Sequence, residues 1–191
     1  MIKISILKKL MKNAYKGIGL MVHNNAGDIL IQGTSWVLIF YGGNIPKEIK
    51  GELIKFIGDL PKVGEAFRIT EDGNQMAIDL TDDSLLGAPK AEWKITNLLY
   101  EAGSAYRIVE NTDTKEKKMI LAAYTEMVDF KQLNKEETVP EGPYIPEGAP
   151  NCMAWRTEEV LYTAYITDTS GNQKLGEFLN VLKNTNCNVM V

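Results

Sequence analysis

The sequence predicts an α+β protein made mostly of antiparallel sheet, with about three helices: one N-terminal, one over 45–58 and one C-terminal. Three observations carry this prediction. Apolar residues recur at helical spacing in three separate stretches. Between them lie short apolar runs joined by Asn-, Asp- and Gly-containing turns, the pattern of hairpins. The 191 residues are 45% apolar and 24% charged, enough apolar material for a packed core.

Ile6, Leu7, Leu10, Met11 and Ala14 form the first helical stripe, with Ser5 as the expected N-cap and Gly17 as its stop. A hairpin follows, Ile18–Val22 and Ile29–Ile31, around Asn24, Asn25, Ala26 and Gly27. Trp36–Tyr41 is apolar on both faces and reads as a central strand. The second helix is expected from Asn44 as cap and Pro46 in its first turn. Its stripe is Ile49, Leu53, Phe56, Ile57 and Leu60, closed by Gly58 and Pro61. A second hairpin is expected at Ala66–Thr70 and Met76–Leu80, with Asp72-Gly73 in its turn.

The polar stretch 81–90 divides the chain into expected subdomains, 1–83 and 91–191, unless the two are continuous. Strands are expected at Trp93–Tyr100, Tyr106–Glu110, Met119–Glu126 and Val160–Thr167. A helix after Ser170 and a short strand at Cys187–Val191 complete the prediction. Residues 134–151 hold four of the seven prolines, and VPEGPY and IPEGAP are near-copies six residues apart. Proline removes ladder donors, so this segment is expected to be an extended arm and not a central strand.

Composition narrows the chemistry. A net charge of −4 gives no global pull toward nucleic acid or an anionic membrane. Two distant cysteines, Cys152 and Cys187, match neither a disulfide framework nor a zinc spacing. The N-terminus lacks the features of a signal peptide, and the expected setting is cytoplasmic. His23, the only histidine, is the residue type that could serve as a general base, but no nucleophile can be tied to it. Gly42-Gly43-Asn44, between a strand and a helix, is a place where backbone N–H groups could hold an anion, or a simple turn. Asp79, Asp82 and Asp83, like Glu136-Glu137 and Glu158-Glu159, read as solvated loop acids rather than a magnesium site. No cofactor and no metal are expected, and no catalytic motif is found.

Lys8, Lys12 and Lys16 repeat every four residues in a segment without acids, giving the first helix a basic face. Trp36 and Trp93 read as core. Trp155, beside Arg156 and directly after the proline arm, has the chemistry of an interface anchor.

The first 83 residues resemble one repeat of a DNA sliding clamp. The likeness rests on the helix Ile6-Leu7-Lys8-Lys9-Leu10, strands, a second helix Ile49–Ile57 ending in Leu60-Pro61, and the hairpin Glu65–Ile69 with Met76–Leu80. It implies a β-rich, ring-forming architecture that encloses or mimics DNA without catalysis. The second half departs from that pattern.

The leading expectation is a non-enzymatic binding or assembly protein, oligomeric through protein–protein contacts, using Pro140, Tyr144, Pro146, Trp155 and Arg156. One alternative is a small-ligand protein that binds a nucleotide-like anion with Lys12, Lys16, Tyr41, Trp93, Tyr106 and Arg107. Another is a clamp-like, DNA-associated protein.

Overall fold

In the computed structural model, residues 1–73, 76–77, 89–130, 139–183 and 185 are described. The expected features at 78–80, 134–138 and 187–191, together with Asp79, Asp82, Asp83 and Glu136-Glu137, lie outside them. Among the described residues, eleven strands form one sheet, and every pairing between them is antiparallel. In chain order they are β1 Leu20–Asn25, β2 Asp28–Gln32, β3 Trp36–Phe40, β4 Ala66–Ile69, β5 Met76–Ala77, β6 Pro89–Glu101, β7 Ala105–Asn111, β8 Lys117–Leu121, β9 Glu141–Pro146, β10 Cys152–Arg156 and β11 Val160–Tyr165. Their order across the sheet is β5-β4-β1-β2-β3-β11-β10-β9-β6-β7-β8. The helices are α1 Ile4–Lys16, α2 Lys47–Ile57, the single turn α3 Ala122–Glu126, and α4 Gln173–Leu182.

The first hairpin turns on Ala26 and Gly27, both at positive φ (51° and 103°), the geometry that matches strand twist. α1 buries Leu7, Leu10, Met11 and Ala14, and α2 buries Ile49, Leu53 and Ile57. Neither helix starts as predicted. Lys3, not Ser5, occupies the α1 cap position, and α2 begins after Pro46, because Asn44 is held in a tight turn by its N–H donating to the Tyr41 carbonyl. The strand expected over Met119–Glu126 ends at Leu121. Ala122 opens a helical turn, closed by the Thr125 hydroxyl donating to the Ala122 carbonyl at 2.9 Å. The helix expected after Ser170 is α4, capped by Asn172, whose side chain accepts from the Leu175 N–H.

The proline segment is the main correction. Residues 141–146 are a strand inside the sheet, paired with β10 on one side and β6 on the other. Proline is tolerated there because the register shifts: Tyr144 faces Ala154 and Glu141 faces Arg156, so Pro143 sits at a bulge that needs no donor from it. Pro146 lies at the strand end opposite Pro89. Gly142, at φ +118°, lets the chain pass close over β10; a Cβ there would meet the Ala154 carbonyl oxygen at 2.5 Å.

The central strands are related by an approximate two-fold. The hairpins β2–β3 and β10–β11 have equal strand spacing and three-residue loops, closed by Gly33 N–H to the Trp36 carbonyl and Thr157 N–H to the Val160 carbonyl. Across the β3–β11 seam, Tyr41 N–H donates to the Glu159 carbonyl and Tyr165 N–H to the Ser35 carbonyl, both at 2.9 Å.

Side chains alternate about this sheet. Ile29, Ile31, Trp36, Leu38, Phe40, Met153, Trp155, Tyr162 and Ala164 share a core with α1 and α2, which also takes in Val109, Ile120 and Tyr124 from the second half. Each fully buried large side chain contributes roughly 1.5–3 kcal/mol. Val37, Ile39, Tyr144, Cys152, Ala154 and Leu161 form a second cluster on the other face, and α4 packs on Ile108 and Met119.

Candidate functional site

Register brings Tyr41, Tyr144 and Arg156 together at one end of the central strands. Tyr41 follows β3, where its N–H is tied to the β10–β11 loop. Tyr144 and Arg156 meet because the β9 bulge puts Glu141 opposite Arg156. The Arg156 Nε donates to Glu141 Oε2 at 2.7 Å, and its guanidinium lies 5.7 Å from the Tyr144 ring centroid. The Arg156 and Glu141 side chains are 42% and 62% exposed, whereas Tyr144 is buried.

Electrostatics follows from this placement. Burial raises the Tyr41 phenol, Tyr144 and Asp28 add to the shift, and Arg156 opposes it. Burial likewise raises Tyr144, with Arg156 pulling the other way. The bond to Glu141 holds Arg156 above its ordinary range. Asp28 also accepts the Gly42 N–H at 2.7 Å. The glycine turn read as a possible anion cradle therefore already holds an internal carboxylate.

The other partner residues expected from sequence are interior. Pro140 and Pro146 are buried, and Trp155 is fully buried, stacked on Tyr162 with centroids 5.3 Å apart. The reading of Trp155 as a surface anchor is thus corrected: alternation along β10 aims it at the core. Of that set, Arg156 carries the exposed polar head.

The six residues expected for a small ligand do not converge. Lys12 is exposed on α1, and Lys16 is paired with Glu71 at 3.4 Å. Tyr41 belongs to the opposite face of the sheet from α1. Trp93 is buried in the helix-side core under the Lys118 ammonium, 5.6 Å from its ring. Tyr106 packs with the α4 cluster, and the neighbouring Arg107 has a buried Nε with no hydrogen-bond partner among the described residues. His23 lies on β1 opposite Leu30 and Ala66. Among the described residues no group of three His, Cys, Asp or Glu is placed to hold a metal ion, and no helix is long and apolar enough to cross a membrane.

Sequence reasoning missed Glu141, Asp28 and Lys118. The first two are isolated acids whose roles depend on a bulge and a turn that no local pattern announces. Lys118 closes a charged segment that reads as an exposed loop.

No protein-family model matches the chain, and no curated protein matches it in sequence. Among solved structures it has a weak fold-level resemblance to a sliding clamp, described as the crystal structure of the beta subunit from DNA polymerase of Streptococcus pyogenes. Identity is 9% and the TM-score is 0.31, over 88% of this chain and 65% of that one. The chain thus spans less than two thirds of that subunit's length.

Proposed function

We propose that this chain is a non-enzymatic binding or assembly protein that acts through protein–protein contacts and self-associates, with Tyr41, Tyr144, Arg156 and Glu141 as the contact cluster. The observation that supports this reading is the geometry of Arg156. It is an exposed guanidinium fixed by Glu141 against a buried tyrosine, with a second tyrosine beside it. Arginine and tyrosine are the residue types that anchor interfaces, and pre-ordering a long side chain reduces what ordering it costs on binding. Light scattering on a sizing column tests the reading. Wild type is expected to run larger than one 21.3 kDa chain. Arg156→Ala with Tyr41→Ala is expected to shift it toward monomer while remaining folded. A wild-type monomer at every concentration removes the self-association.

A further inference from the structure

We infer that the layer formed by α1 and α2 is a second interaction surface, and that its occupant is an acidic segment of a protein partner. It lies on the opposite face of the sheet from the Tyr41–Arg156 cluster, and so goes beyond the reading above. The two helices carry seven lysines against two glutamates, a net of +5 in a chain whose total is −4. Positive charge is therefore concentrated on one layer of an otherwise acidic molecule.

Packing turns this composition into a surface. Lys8 meets Glu52 at 2.9 Å at one level, and Tyr15 meets Phe56 at 5.3 Å further along, so the helices run side by side in the same sense. Their apolar stripes face the sheet, leaving the lysines outward. Glu52 is consumed within the layer: Lys55 and Lys8 both bond its carboxylate and hold it below the usual range. Lys9, Lys12, Lys47 and Lys50 are exposed, with no acidic partner among the described residues. They present cations about one helical turn apart, which complements carboxylates similarly spaced.

The observations favour carboxylate over nucleic acid. All seven cations are lysines, so the forked, bidentate capture of phosphate that arginine provides is missing. The two aromatic rings of the layer, Tyr15 and Phe56, pack on each other instead of offering a face for stacking bases.

The test is fluorescence anisotropy with a labelled oligoglutamate peptide and, in a parallel arm, duplex DNA of equal charge. Wild type is expected to bind the peptide at low salt and to lose affinity as salt rises from about 50 to about 300 mM. Lys9→Glu with Lys12→Glu is expected to weaken binding by about tenfold or more, and Lys9→Arg with Lys12→Arg to retain it. Circular dichroism confirms that each variant folds. Absence of peptide binding at low salt, or equal binding by the charge-reversed variant, overturns the proposal. DNA binding about tenfold tighter than peptide does so too, because it assigns the layer to nucleic acid.

Discussion

Gly142→Ala isolates the close passage of β9 over β10. At φ +118° an alanine is conformationally strained, at roughly 1–3 kcal/mol. Its Cβ would also lie 2.5 Å from the Ala154 carbonyl oxygen and 3.1 Å from the Trp155 Cα, both backbone atoms of a strand held on either side. Relieving that overlap moves β10 and adds roughly another 1–3 kcal/mol. Gly27→Ala is the matched control. It too has a positive φ, +103°, but a Cβ there meets nothing within 4 Å among the described residues, so only the conformational part applies. The difference between the two variants is therefore about 2 kcal/mol, which for a chain of this size is about 4–8 °C in melting temperature. Thermal melts followed by circular dichroism, with urea titrations alongside, measure it. Equal melting temperatures for the two variants would refute the argument that proline is accommodated through a tight bulge inside the sheet.

Four further outcomes follow from the interior. Trp155→Ala should cost about 3–5 kcal/mol in urea unfolding, and Tyr162→Phe about 1 kcal/mol for its bond to the Tyr124 carbonyl at 3.1 Å; a silent Trp155→Ala would contradict its core placement. Lys117 and Glu110 form an ion pair at 3.1 Å with side chains 3% and 10% exposed, so Lys117→Met alone should cost about 3–5 kcal/mol and Lys117→Met with Glu110→Leu much less. Equal losses would show that the pair is not coupled. Burial raises the phenols of Tyr162, Tyr124, Tyr144 and Tyr41, so the folded chain holds these protons more tightly than the unfolded one. Their contribution is complete below about pH 10 and is lost as pH rises beyond it. Urea midpoints should hold from about pH 7 to 9 and fall above about 10, less steeply in Tyr162→Phe. A rise above that pH contradicts the sign.

Much of the first half was legible because its signals are local. The α1 and α2 stripes, the Ala26-Gly27 turn and the doubly buried β3 follow from spacing within a few residues. The second half depends on contacts distant in sequence. Pro140–Pro146 reads as a loop from its prolines, yet the bulge opposite Ala154 and Arg156 makes a strand of it. Trp155 has the composition of an anchor, but only the pairing of β10 with β9 and β11 decides which face it occupies. The candidate site is half visible in the sequence: Tyr144 and Arg156 stand among the expected partner contacts and Tyr41 among the expected ligand residues, and only the fold joins them. The lysine rows behave differently. Lys8, Lys12 and Lys16 already signal a basic face, but its extension onto α2 and the neutralisation of Glu52 emerge only when the helices pack.

Native mass spectrometry of the purified wild-type chain beside the Tyr41→Ala, Arg156→Ala variant tests the assembly reading most directly. Multi-copy ions are expected for wild type, collapsing to single chains in the variant, with no small molecule retained. Single-chain ions for both proteins, or a tightly held small molecule on wild type, would contradict it.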